Sequence, residues 1–151
     1  VIIKGRSIMT DSELMTSEYL KPIPGPDEES APFFEGARQH KLMLMRCNNC
    51  KSYRMPSRDR CDVCWSTDTS WAQASGKGTV YTFGIMHQVY HPGFKDAVPY
   101  NVAVIELEEG PRMTTNIVGC SNDKIRVGMA VEVTFEDIND EVSLPKFWPA
   151  S

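Results

Sequence analysis

Of the five cysteines in the chain, four fall as two pairs, Cys47-Asn48-Asn49-Cys50 and Cys61-Asp62-Val63-Cys64, with ten residues between them. Two cysteines separated by two residues can place both sulfurs on one side of a tight knuckle. Two knuckles facing each other set four thiolates at the corners of a tetrahedron, the arrangement Zn²⁺ prefers, with Zn–S bonds of about 2.3 Å. Rubredoxin-like iron uses the same ligands, so spacing alone does not separate the two ions; nothing nearby suggests redox tuning, which favours zinc. With all four sulfurs committed, no coordination position stays open, and the expected metal is structural. Paired disulfides are the competing reading. Metal-type spacing and the expected absence of a secretory signal oppose it. Neither knuckle has glycine after its second cysteine; Lys51 and Trp65 stand there, so the turns are expected to be less relaxed than usual.

A ribbon over residues 42–71 is too small to bury much surface, so metal must supply much of its folding free energy and the rest of the chain must hold a core. With 151 residues, 41% hydrophobic and 24% charged, the composition is that of a soluble globular protein of one ordinary or two small domains. No apolar run approaches the ~20 residues that span a bilayer. Reduced thiols holding metal place the expected location in the cytoplasm. The net charge of −4 conceals a gradient. Residues 32–64 carry 7 basic and 3 acidic groups, whereas residues 65–151 carry 6 basic and 11 acidic. A long polyanion such as DNA would be repelled by most of the molecule, whereas a small phosphorylated ligand or an acidic protein surface would not.

Residues 1–31 read as an N-terminal arm, with residues 1–8 set aside as non-native or an upstream remnant. The run Lys21-Pro-Ile-Pro-Gly-Pro26 favours an extended path, either disordered or laid on a partner. Ser30-Ala31-Pro32 can start a short helix carrying Phe33, Phe34 and Ala37 towards His40. The adjacent phenylalanines need cover from a neighbouring chain or the next domain. Residues 42–45 lead into the first knuckle as a strand. Ser75-Gly76-Lys77-Gly78 is the expected hinge, dividing a helix plus ribbon at 32–75 from a β-domain at 76–151. Five strands are predicted there, over 79–86, 100–107, 112–118, 130–136 and 143–148, with a turn at Glu109-Gly110-Pro111 and a re-entry turn at 125–129. Five short strands suit a small Greek-key barrel such as the OB-fold. The predicted architecture is therefore mainly β: an N-terminal helix, a rubredoxin-like zinc ribbon and a C-terminal five-stranded OB-fold barrel.

Residues 32–148 resemble the acyl-CoA-associated proteins that join a rubredoxin-like zinc ribbon to an OB-fold. The likeness rests on Phe33-Phe34-Glu-Gly, the four cysteines, Pro56, and Gly76-x-Gly78-Thr-Val-Tyr81. Further matches are His91-Pro-Gly-Phe94, Pro99-Tyr100, Glu106-Leu107-x-x-Gly110-Pro-Arg112, Asn116-Ile-Val118 and Gly128-Met-x-Val-x-Val-x-Phe135. The missing knuckle glycines depart from the family pattern. The resemblance implies a partner subunit: such proteins sit beside thiolase-fold enzymes or acyl-CoA aldolases and help shape the acyl-CoA site. A short chain of this kind is similar to the small subunit of a two-subunit thiolase of the benzoylsuccinyl-CoA type, which links it to aromatic degradation. It implies a hetero-oligomer in which the partner supplies the nucleophilic cysteine, and a coenzyme A thioester as a shared ligand.

No complete catalytic set is expected in this chain. Cys120, outside the ribbon, reads as a small strand-end residue. His87 and His91 are four apart, but Pro92-Gly93 interrupts any helix there, so a loop contacting ligand or partner is the better reading. His40 reads as a solvated helix-end residue. The basic cluster Arg46, Lys51, Arg54, Arg58 and Arg60 is by default a solvated ribbon face. The sharper reading has Arg54, Arg58 or Arg60 neutralise coenzyme A phosphates, because the planar guanidinium binds two oxygens at once; docking to an acidic partner patch is the third. His91 and Phe94 are the corresponding contact candidates on the barrel. Tyr81, Phe83, Tyr90, Phe94 and Tyr100 could stack bases on an OB face. In an acidic barrel, core or partner interface is the safer assignment, so single-stranded nucleic-acid binding is disfavoured. Three readings remain: an accessory subunit of an acyl-CoA thiolase or aldolase, a nucleic-acid-binding module, and a stand-alone acyl-CoA carrier or sensor.

Overall fold

The structure is a computed structural model that describes residues 19–151; expectations placed on residues 1–18, the non-native start among them, lie outside the described residues. The one α-helix of the described residues, α1 (Ala31–Arg38), begins where Pro32 can occupy the first turn. Ser30 does not cap the helix with its side chain. Instead its N–H donates to Asp27 Oδ1 at 2.8 Å while the Asp27 N–H donates to Ser30 Oγ at 3.0 Å. The helix ends on His40, whose φ of 56° puts it in the left-handed region, and the Lys41 N–H returns to the Gly36 carbonyl at 2.8 Å.

Three antiparallel strands form the ribbon sheet: β1 (Met43–Cys47), β2 (Tyr53–Arg54) and β3 (Thr69–Gln73), in the order β2-β1-β3. Five more form the second sheet: β4 (Lys77–Met86), β5 (Tyr100–Leu107), β6 (Arg112–Thr115), β7 (Ala130–Asp137) and β8 (Ser143–Pro149), in the order β6-β5-β4-β7-β8. Alternation of apolar and polar residues puts Asn101, Ala103, Ile105 and Leu107 of β5 on the inner face. The predicted third strand was longer than β6. After Thr115 the chain leaves β5 and turns to β8. There the Phe147 N–H donates to the Asn116 carbonyl at 3.1 Å and the Val118 N–H to the Phe147 carbonyl at 2.8 Å, a parallel bridge that curls the sheet shut. Antiparallel hairpins closed by one parallel contact between the outer strands give the OB-type curl.

Ribbon and barrel share one core. Phe33 of α1, Leu42, Leu44 and Ala74 belong to the same buried cluster as Val80, Ile105, Ile125, Val131 and Phe147. The next domain therefore covers Phe33, the second of the two covers the sequence allowed; Phe34 packs against the same cluster, half-buried. His40 is exposed at the helix end, as expected, and makes two contacts besides. Its ring stacks on Phe135 at 5.2 Å and its Nε2 lies 2.8 Å from Asp137 Oδ1, joining α1 to β7. Asp137 is held below the usual carboxylate range by the Ser143 hydroxyl first and by His40 second.

Candidate metal centre

The two knuckles are copies of one structure. In the first, the Cys47 N–H donates to the Ser52 carbonyl at 2.9 Å and the Lys51 N–H to the Cys47 carbonyl at 3.0 Å. In the second, the Cys61 N–H donates to the Ser66 carbonyl at 3.0 Å and the Trp65 N–H to the Cys61 carbonyl at 2.9 Å. The residue after each second cysteine is left-handed, Lys51 at φ 66° and Trp65 at φ 62°. The sequence carries the repeat as Cys-x-x-Cys-x-Ser, a signal the spacing of the cysteines alone does not use.

Facing one another, the knuckles bring all four sulfurs within 4.8 Å, with Cys47–Cys64 at 3.6 Å and Cys50–Cys61 at 3.5 Å. Tetrahedral thiolates at about 2.3 Å from an ion sit about 3.8 Å apart, so the four cysteines fit a metal ion with little adjustment. A second layer supports them. The Ser52 hydroxyl lies 3.0 Å from Cys50 Sγ and 3.3 Å from Cys61 Sγ, and Asn49 Nδ2 donates to Cys64 Sγ at 3.4 Å. The Ser52 hydroxyl is the main reason the Cys61 thiol falls to about 6, and the Asn49 amide does the same for Cys64, which also falls. Cys50 moves up: Ser52 would lower it, but burial and the neighbouring Cys61 and Cys64 sulfurs outweigh that. Adjacent thiolates need a cation before all four can be charged together.

Left-handed backbone costs an ordinary residue about 1–2 kcal/mol, and glycine gives back part of this through its freer unfolded chain. Lys51→Gly and Trp65→Gly are therefore each expected to raise stability by about 0.5–1 kcal/mol, measured by thermal melts of the metal-loaded protein. Trp65 loses little burial on truncation because it is 72% exposed.

The remaining candidate residues separate clearly. Arg58 and Arg60 are exposed on the loop between the knuckles. Arg54 departs from the expected solvated face. It is only 6% exposed, and its Nε and one terminal nitrogen donate to the Arg58 carbonyl at 3.0 and 2.8 Å. It orders the loop that presents Arg58 and Arg60. Arg46 is half-buried, with its guanidinium 5.5 Å from the Tyr53 ring. His91 and Phe94 sit on the β4–β5 loop; the His91 ring nitrogen accepts from the Gly93 N–H at 3.1 Å, and the Phe94 ring lies 5.0 Å from that of Tyr100, tilted by 35°. That loop is distinct from the knuckles, so the five contact candidates form a ribbon group and a barrel group. Tyr81 lies under Arg112 at 3.5 Å, and Arg112 pairs with Glu106 at 3.0 Å. Cys120 is half-buried against the core cluster.

Fold and site together define a rubredoxin-like metal ribbon joined to an OB-fold. Family models agree: residues 34–70 match the description "ChsH2, rubredoxin-like zinc ribbon domain", and residues 71–136 match "ChsH2, C-terminal OB-fold domain". The chain belongs to the DUF35 family of ribbon-plus-OB proteins. It is 41% identical over 101 residues to a "DUF35 domain-containing scaffold protein" of Methanocaldococcus jannaschii, covering 66% of this chain and 71% of that one. It is 37% identical over 149 residues to the "Probable enoyl-CoA hydratase alpha subunit" of Thermomonospora curvata, covering 99% of this chain; the chain spans 46% of that relative's length. Among solved structures, a chain of the "Ltp2-ChsH2(DUF35) aldolase" superposes with a TM-score of 0.77 at 40% identity, covering 85% of this chain and all (100%) of that one.

Proposed function

We propose that this chain is a non-catalytic, zinc-binding accessory subunit of an acyl-CoA enzyme that makes or breaks a carbon–carbon bond. It would bind a thiolase-fold partner in a hetero-oligomer and help form the coenzyme A thioester site. The observation that carries the reading is the likeness to a DUF35 chain named as part of an aldolase, with that chain covered in full. Scaffold and alpha-subunit names among the relatives support a subunit role, although the alpha subunits are named for hydratases rather than for carbon–carbon bond chemistry. Thiolysis of a β-ketoacyl-CoA and retro-aldol cleavage of a hydroxyacyl-CoA are both chemistries such a partner could perform, and the partner would supply the nucleophile or base. Residues 32–75 would act as one module and 76–151 as the other. Zinc fits the closed all-sulfur site, and reduced thiolates suit the cytoplasm. No helix among the described residues is long and apolar enough to cross a membrane.

The surface offers two contacts of the kind partners use. Trp65 and Val63 project from the second knuckle, 72% and 66% exposed, beside the basic loop that carries Arg58 and Arg60. An exposed tryptophan held in strained backbone next to arginines has the composition of an interface anchor. The barrel group, His91 and Phe94, would face the acyl-CoA site. Arg58 and Arg60 are the residues left to meet a coenzyme A phosphate, Arg54 acting through them.

Co-expression with a candidate thiolase-fold acyl-CoA enzyme from the same genome tests the reading. The pair is expected to co-purify and turn over, and the lone chain to be inert. Cleavage that consumes free coenzyme A identifies a thiolase, and cleavage without it an aldolase. Turnover by this chain alone would sink the proposal. A salt-dependent shift with single-stranded DNA or RNA at physiological ionic strength would favour the nucleic-acid module instead.

A further inference from the structure

A cavity lies at one end of the barrel, away from the knuckles. It has a volume of about 460 Å³, within the range of small-molecule sites. Phe94 and Tyr100 come from the β4–β5 loop and the start of β5, Thr134 and Glu136 from β7, and Trp148 from β8. Two ammonium groups reach it. Lys146 stands on β8 with only 15% of its side chain exposed, its Nζ 3.6 Å from Glu136 Oε2 and donating to Asn116 Oδ1. Lys21 comes from the arm, its Nζ 5.2 Å from the centre of the Phe94 ring and 5.9 Å from that of Tyr19.

The arm is not a free tail from Tyr19 onward. It crosses the β4–β5 loop so closely that a Cβ on Gly93 would lie 2.2 Å from the Leu20 carbonyl oxygen and 2.9 Å from Lys21 Cα. Backbone-to-backbone contact there fixes Lys21 over the cavity. Burial is the first reason the Lys146 ammonium is destabilised; Glu136 opposes that, and the like charge of Lys21 adds to it. Two cations facing one carboxylate leave an excess of one positive charge inside an otherwise acidic barrel.

We propose that this cavity binds a small organic carboxylate. The carboxylate sits between Lys21 and Lys146, and its apolar or aromatic body lies against Phe94, Tyr100 and Trp148. A monoanion matches the excess charge, whereas a phosphate dianion would also meet Glu136. The site is built from this chain's own residues and does not depend on the partner proposed above.

The test uses the metal-loaded full chain and three probes, phenylacetate, benzoate and hexanoate, followed by amide and indole NMR shifts. At least one is expected to give saturable shifts at the Trp148 indole and Asn116. Phenylacetamide, which keeps the shape and loses the charge, is expected to bind at least about tenfold more weakly than phenylacetate. Lys146→Met and Lys21→Gln should each weaken carboxylate binding by about tenfold or more. Gly93→Ala, which lies outside the lining and displaces the arm, should reproduce the Lys21→Gln loss while the ribbon and barrel spectra stay in place. Saturable shifts that survive the lysine changes, shifts with none of the three probes, or tighter binding of phenyl phosphate than of phenylacetate would each overturn the carboxylate site.

Discussion

Removing the metal, by a chelator or by Cys47→Ser or Cys61→Ser, is expected to unfold residues 42–74 and to lower the melting temperature of the barrel with them. The ribbon's three strands are short, and β2 has only two residues, Tyr53–Arg54. Without a cation, four thiolates within 4.8 Å of one another repel each other. Structural zinc sites contribute on the order of 10 kcal/mol of apparent folding free energy, comparable to the whole stability of a domain. The less obvious part concerns the barrel. Leu42 and Leu44, at 2% and 0% exposure, lead into or lie on the first ribbon strand and pack in the cluster that contains Ile105 and Phe147. Melting the ribbon withdraws them and uncovers the face they shield. Amide spectra recorded during chelation should therefore show barrel resonances such as Val80 and Ile105 shifting together with the ribbon. A barrel that keeps its shifts and its melting temperature after the ribbon has unfolded would mean two independent cores, contrary to the shared cluster. Elemental analysis of protein made under metal-replete, reducing conditions identifies the ion; finding neither zinc nor iron would remove the site.

How much of this can be read from the chain depends on how local each signal is. The knuckles are legible because each pair of ligands lies within one turn, and the Cys-x-x-Cys-x-Ser repeat fixes both turns alike. The barrel strands are legible where one face is buried, as in β5, whose alternation runs its full length. Legibility ends where partners are distant. The segment 112–118 reads as one strand, but the backbone of Asn116 to Val118 pairs with that of Phe147 rather than with that of β5, a contact that depends on closure of the whole sheet. Thr69–Gln73 carries no period, because β3 is nowhere fully buried. Arg54 looks like its exposed neighbours in sequence; its burial follows from the path of the Arg58 carbonyl, which composition does not encode. The cavity at the barrel end is the extreme case, since it joins Lys21 to Lys146 through an arm whose seat is the bare backbone of Gly93.

Asn101→Ala is expected to cost about 3 kcal/mol, although Asn101 is neither a metal ligand nor one of the charged groups proposed to hold the carboxylate. Its side chain, in a residue 6% exposed, stands in for a missing strand. Nδ2 donates to the Ile117 carbonyl at 2.8 Å, and Oδ1 accepts from the Ile117 N–H at 2.6 Å. On the other side of the same segment, Asn116 and Val118 pair with the Phe147 backbone. A peptide group needs one donor and one acceptor opposite it, and a primary amide supplies both. Alanine would leave the N–H and the carbonyl of Ile117 buried without partners, at about 1–3 kcal/mol each. For a chain of this size the loss corresponds to a fall of roughly 10 °C in melting temperature. Asn101→Asp separates pairing from volume. A carboxylate still accepts from the Ile117 N–H but opposes the Ile117 carbonyl, whereas the protonated acid can donate to it. Folding should therefore raise that carboxyl's pKa above its unfolded value. The variant's relative stability is then greatest below the unfolded value of about 4 and declines as pH rises through the folded one. Thermal melts across that range should show Asn101→Asp recovering in acid relative to Asn101→Ala; parallel profiles for the two variants would mean that the Phe147 hydrogen bonds close the barrel without the asparagine.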